Sequence, residues 1–326
     1  MIFPKFLITF VNTALIINTL ILSLLPNQNY PTMKRFCTIS ILAFTLSISV
    51  HAQVLWQITG ADLKKPSYLF VTHDLIPIQF LDSIPELFRS YNRCDIVVSE
   101  VVLNHVDDLT EFQQAAIMPN NTTIADLLNL EDFTTVSNEL KSVTGTELNS
   151  SSRLHPSLLL ALYRTELFKN AAKFVEGTQS DSYFQLIASQ QDKRVIGLET
   201  AGQQIFHLLL ENKTLERDAK LLVSAVMNKD SVLSKMLDEV RFYKTGNIDA
   251  LSEALKQKEQ ARYSSVETYE QQLKQRNIHQ FNQILELINT SPCFITVNAI
   301  HLQGRFGLIN QLREKKYSIK EVKAGR

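Results

Sequence analysis

The sequence predicts an α/β or α+β domain, with a central mixed sheet of N- and C-terminal strands and a large helical insertion. Three observations lead there. Short runs of β-branched and aromatic residues occur near the start of the chain body, at 54–59, 68–73 and 95–102, and again near its end, around Phe294 and at 318–322. One more such run, 194–198, falls mid-chain. From Asp107 to Ile288 the character is instead mostly helical, segment by segment.

Taken in order, 54–59 (VLWQIT) reads as a strand, followed by a loop punctuated by Gly60 and Pro66. Residues 68–73 (YLFVTH) make a second strand, so the pair reads as a hairpin with a long connection. Pro77 and Pro85 bracket a turn, and 84–91 reads as a helix with Leu87, Phe88 and Tyr91 on one face. Residues 95–102 (DIVVSEVV) are a strand of the buried type, interrupted only by Ser99 and Glu100. Helices follow at 107–117, 123–129 and 132–143, with Thr123 and Asp132 as N-caps. His155-Pro156 opens a longer helix to about residue 174, and 181–191 makes another. After the strand 194–198, helices are expected at 199–210, 215–227 and 232–243. The longest spans 266–288, with Tyr269, Leu273, Phe281, Ile284, Leu285 and Ile288 as its stripe. Asn289 to Pro292 breaks it. Phe294, Ile295 and Val297 then form a buried strand that ends in a polar turn holding His301. Phe306, Leu308, Ile309 and Leu312 lie on one side of the helix that follows, and 318–322 is the last strand. No internal repeat and no low-complexity segment occurs.

The 326 residues are 45% apolar and 20% charged, ordinary for a globular protein. Thirty-three basic and 33 acidic residues balance, so nothing points to a nucleic-acid partner. The first 52 residues differ. They hold Lys5, Lys34 and Arg35 and no acid, which leaves 30 basic and 33 acidic residues in the body. From Met33 the segment reads as a signal peptide: Lys34 and Arg35, an apolar stretch from Ile39 to Ile48, then Val50 and Ala52 before Gln53. Residues 1–52 are therefore expected to be a targeting region and 53–326 a single domain, exported to the periplasm or beyond. The rival is a membrane anchor at 6–25, an apolar run about long enough to span a bilayer. Any membrane contact would come only through this N-terminal part. Cys37 lies in the signal-like segment, and Cys94 and Cys293, each just ahead of a strand, could pair or stay buried thiols.

Three strand ends carry polar groups that packing alone does not call for: Thr72-His73-Asp74, Ser99-Glu100, and Asn298 with His301. Imidazole and carboxylate together suit a divalent transition metal, with Glu100 as ligand or as general base. The plainer reading is a Glu paired with an arginine and a hydrogen-bonded core histidine. Arg276 shares a helix face with His279. It either holds a substrate carboxylate or orients Glu100, or it belongs to a solvated polar face. No spacing matches HExxH, GxSxG, a P-loop or a dinucleotide loop.

The ordered set LWQITG, KKPSYLFVTHD, DIVVSE, RVIGLETAGQQ, QRN and FITVNAIHLQGRFGLINQLREKKYSI resembles the TraB/GumN family, to which the Tiki proteins are related. The resemblance implies a metal-dependent peptidase-like hydrolase with Mn or Co, acting on a peptide or protein. It also implies a Gly-x-x-His motif near each end and an acidic residue after the second core strand. The first motif falls on Val71, Thr72, His73 and Asp74, the acidic residue on Glu100, and the second motif on Asn298, Ala299, Ile300 and His301. The implied metal set is Asp74, Glu100 and His301, with Glu100 and Arg276 catalytic. Glu199, Arg276 and Asn277 match further family positions. Both motif glycines are replaced, by Val71 and Asn298, and the first motif histidine by Asp74. A β-branched Val adopts positive φ poorly, so the first motif is expected to lose its backbone shape if it needs that conformation. His73, one residue early, is expected on the opposite face of the strand. Two functions follow: a working or weakened metallohydrolase, or an inactive relative that binds a peptide or other ligand.

Overall fold

The computed structural model describes residues 54–60, 63–102, 106–145, 147–172, 180–210 and 214–323. The signal-like segment, the apolar run 6–25 and Cys37 lie outside the described residues. Among the described residues, six strands form one mixed sheet. They are β1 (Leu55–Thr59), β2 (Ser67–Thr72), β3 (Ile96–Val101), β4 (Arg194–Glu199), β5 (Cys293–Asn298) and β6 (Ser318–Glu321), in the order β4-β3-β5-β2-β1-β6. β4, β3, β5 and β2 run parallel, while β1 is antiparallel to both β2 and β6. The hairpin expected from the first two strands is present, with Leu55 opposite Phe70.

The central strands are continuous apolar runs because helices cover both of their faces. Phe70, Tyr91, Phe184 and Phe294 form an aromatic centre, with Phe184 and Phe294 ring centroids 4.8 Å apart. Phe184 reaches it from the helix Ser180–Gln190. A second core lies among the helices Leu130–Thr144, Pro156–Ala172 and Leu215–Met227, around Val136, Leu159, Tyr163 and Leu222. Among the described residues, no helix is long and apolar enough to cross a membrane.

The structure corrects several boundaries. Residues 84–91 do not form one helix: a 3-10 turn covers Ile78–Ser83, and the α-helix runs Leu87–Asn92. Pro85 explains this, because it pushes Ile84 into an extended conformation (ψ 115°). Asp132 is not an N-cap; the helix starts at Leu130, and Asn129 caps it by accepting from the Asp132 N–H. The helix expected at 199–210 loses its first residue to β4, runs Ala201–Ile205 and ends in a π-turn at Phe206–Leu210. One helix, Ile248–Gln260, was not expected at all. Asn247 caps it, and Ile248, Leu251 and Leu255 are its buried stripe.

Candidate functional site: a cleft at the strand ends

The parallel strands bring their carboxyl ends side by side. Register places Thr72 opposite Asn298 and Val101 opposite Glu199, so residues from four segments distant in sequence meet at one end of the sheet. In open α/β sheets this is where ligands bind. A cleft of about 370 Å³ opens there, with Asp74, Glu100, Asn298 and His301 on its sheet side. Its other side is helical and mixed, with Leu208, Leu255, Tyr263, Tyr269 and Leu273 beside Gln204, His207, Lys258, Glu259 and Arg276. A larger, shallower hollow of about 690 Å³ lies near Glu139 and Lys229, an exposed ion pair with no strand ends converging on it. The cleft is therefore the candidate on chemical grounds.

His301 is 1% exposed, in the short 3-10 turn Ala299–His301 that follows β5. Its Nδ1 lies 2.6 Å from Asn277 Oδ1. An amide oxygen only accepts, so Nδ1 carries the proton and Nε2 presents its lone pair to the cleft. Nε2 stands 3.8 Å from Glu100 Oε2. Burial, then Arg276 and His207, hold the His301 pKa well below the usual imidazole value, so the ring is neutral. Burial pushes the Glu100 carboxyl up to about 7, against the pull of Arg276 and of the Asn298 N–H, which donates to Oε1 at 2.5 Å. Near neutral pH, Glu100 exchanges a proton in the cleft while His301 stays uncharged.

Arg276 is neither a free substrate clamp nor part of a solvated face. Its Nε and Nη2 grip the two oxygens of Glu199 at 2.9 and 3.0 Å, and Gln280 donates to the same carboxylate at 3.1 Å. Glu199 is buried, so this fork neutralises a charge that would otherwise be costly. Glu199, Arg276 and Asn277 thus act as a frame beside Glu100 and His301. Asn277 orients the imidazole, while Arg276 supplies positive potential.

The backbone at Val71 and Asn298 does not need glycine. Val71 sits within β2, paired with Val297, and Asn298 has φ −71° and ψ 146°. Neither has positive φ, and the Asn298 side chain accepts from the Ile300 N–H to shape the turn. His73 does not line the cleft. Its Nδ1 accepts from the Leu75 N–H, and its Nε2 lies 3.4 Å from Glu239, which also holds Lys258. Asp74 is an exposed turn residue on the cleft wall.

A metal would find two donors ready, His301 Nε2 and Glu100, but not a third. Among the described residues, no group of three or more His, Cys, Asp and Glu side chains is placed to hold a metal ion. The arrangement Asp74, Glu100, His301 therefore does not fit a Mn or Co site as it stands. Cys94 and Cys293 are buried free thiols, each donating to a nearby backbone carbonyl.

Sequence reasoning missed Asp181 in the cleft. It accepts a short hydrogen bond from Thr296, whose hydroxyl lies 3.0 Å from Ser99 Oγ. Burial raises its pKa. The signal was its place in the first turn of a helix, but only the fold shows that this turn abuts β5.

Fold and site define an α/β domain with a ligand cleft at a parallel strand edge, built around a carboxyl–imidazole pair. The chain belongs to the TraB/PrgY/gumN family, whose model matches residues 54–321. Comparison with curated proteins and with solved structures gave no match.

Proposed function

We propose that the chain is an exported protein whose cleft binds a peptide and does not come with an assembled metal centre. One observation carries this reading: the polar groups of the cleft floor are engaged by one another. Glu199 takes Arg276, Asn277 takes His301 Nδ1, the Asn298 N–H takes Glu100 Oε1, and among the described residues no third donor joins Glu100 and His301. The remaining wall mixes apolar and hydrogen-bonding groups, which suits a peptide. The signal-like pattern from Met33 to Ala52 supports export, and N-terminal sequencing of secreted protein should begin at Gln53.

A second reading is favoured by the His301 Nε2 lone pair facing Glu100 at 3.8 Å. Here the protein is the metal-dependent hydrolase that the family resemblance implies. It requires Asp74 to move beside that pair. Equilibrium dialysis with Mn²⁺ and Co²⁺, run beside binding and cleavage of short peptides, separates the two. The binding reading expects peptide affinity without cleavage and no metal retained in one-to-one ratio. Stoichiometric retention that disappears in His301→Ala, together with peptide cleavage, overturns it.

A further inference from the structure

Two acceptors in the cleft face each other with no donor between them. The Nδ1 proton of His301 is spent on Asn277, so Nε2 offers only a lone pair, and Glu100 Oε2 stands 3.8 Å from it. That separation is too long for a hydrogen bond even when the carboxyl carries its proton. Among the described residues neither atom has a hydrogen-bond partner, and neither is walled off by protein as His73 Nε2 is. The imidazole is otherwise buried and both residues line the cleft, so the free lone pair opens towards it. An acceptor left without a donor in such a place costs stability, and a ligand that brings donors recovers that cost.

Charge points the same way. The two permanent cations that line the cleft are already spent: Arg276 grips Glu199 with its fork, and Lys258 holds Glu239 at 3.1 and 3.3 Å. Glu259 lies 3.6 Å from Arg262. Asp74, Glu100 and Asp181 have no lysine or arginine within ion-pair distance among the described residues, and they repel one another, Asp74 acting on Asp181 and Asp181 on Glu100. A cleft lined by unmatched carboxylates concentrates cations. A divalent metal needs three or more donors gathered closely around it, which the described side chains do not provide. An ammonium asks for less: it aims three N–H donors at acceptors about 2.8 Å away and carries the charge that the carboxylates lack.

We propose that the cleft takes a primary ammonium group of a peptide, seated where His301 Nε2 and Glu100 Oε2 face each other, with Asp74 and Asp181 adding negative charge around it. This rests on the peptide-binding reading above and names the group by which the peptide is held.

The test is calorimetric titration, with a chelator present, using Ala-Ala-Ala-Ala-amide, acetyl-Ala-Ala-Lys-Ala-amide and the uncharged acetyl-Ala-Ala-Ala-Ala-amide. At least one ammonium peptide should bind about tenfold or more tightly than the uncharged one, and the tighter of the two shows whether the chain terminus or the lysine side chain supplies the group. Glu100→Gln should remove most of this preference. Asp74→Asn, at an exposed position, should reduce it about 3-fold and leave the affinity of the uncharged peptide unchanged. In nitrogen NMR, the ammonium peptide should move the His301 Nε2 resonance while Nδ1 keeps its proton, a response that attraction to a distant carboxylate does not produce. Equal affinity for charged and uncharged peptides overturns the ammonium site and leaves peptide binding standing. So does an ammonium preference that survives Glu100→Gln with the Nε2 resonance unmoved. Without chelator, one-to-one retention of Mn²⁺ that excludes the ammonium peptides gives the acceptor pair to a metal and also overturns the site. Absence of binding by all three peptides overturns the peptide-binding reading itself, and the ammonium site with it.

Discussion

Replacing Glu100 by Gln should make the protein more stable at neutral pH, by an amount that depends on pH in a defined way. Burial raises the Glu100 pKa from the ordinary 4.5 to about 7, so the folded protein holds this proton more tightly than the unfolded chain. Between those two values, stability falls as pH rises, because the unfolded chain gives up its proton first and the folded one resists. The full difference is about 3 kcal/mol and is complete slightly above pH 7. His301 acts in the opposite sense. Its depressed pKa means that the unfolded chain is protonated first below about 6.5, so folding weakens towards acid. The two effects oppose each other in wild type and mask one another. Because the 3.8 Å contact couples the two titrations, the comparison is repeated in a His301→Asn background, where the imidazole no longer contributes. Glutamine keeps the shape and still accepts from the Asn298 N–H. Urea denaturation with a chelator present, at half-unit steps from pH 4.5 to 8, should show the variant gaining on wild type up to about pH 7 and level beyond. A difference that stays constant across this range refutes the claim that the fold, rather than the carboxyl itself, sets the Glu100 pKa.

Other outcomes follow from single contacts. Glu199→Ala leaves Arg276 unpaired beneath the cleft and should cost about 3 kcal/mol or more, while the double variant Glu199→Ala/Arg276→Met should lose less than Glu199→Ala alone. Nitrogen NMR of His301 should show the proton on Nδ1 in wild type and a tautomer mixture in Asn277→Ala; a wild-type proton on Nε2 contradicts the Asn277 assignment. At Gly307 an added Cβ would run into the Leu302 carbonyl oxygen, so Gly307→Ala should cost about 1–3 kcal/mol by thermal denaturation. Tyr243→Phe removes a buried bond to the Val71 carbonyl, 2.7 Å long, and should cost about 1 kcal/mol.

The strands were legible in the sequence because each is a compact apolar run bounded by turn residues, and all six lie within a residue or two of where the pattern places them. His301 and Glu100 were legible too, as polar residues where packing asks for none. The helix Ile248–Gln260 was missed although Ile248, Leu251 and Leu255 carry its period, because acidic, basic and Gln residues dominate the segment. Arg276 illustrates a different limit. Its partner Glu199 lies 77 residues away, and no local spacing announces that pairing. The helical half of the cleft was illegible for the same reason: Tyr269 and Leu273 read as an ordinary core stripe until the fold set them opposite the strand ends.

The sheet order has a consequence for how the chain is made. β5, the strand between β3 and β2, is supplied by residues 293–298, which are made only after the whole helical insertion. Until it emerges, β2 and β3 have no strand between them, and the aromatic centre lacks Phe294. Contacts so distant in sequence form slowly. A nascent chain that has already displayed its whole helical insertion therefore remains without its keystone, and a product truncated anywhere before Cys293 carries two apolar strand edges that only the missing piece can cover.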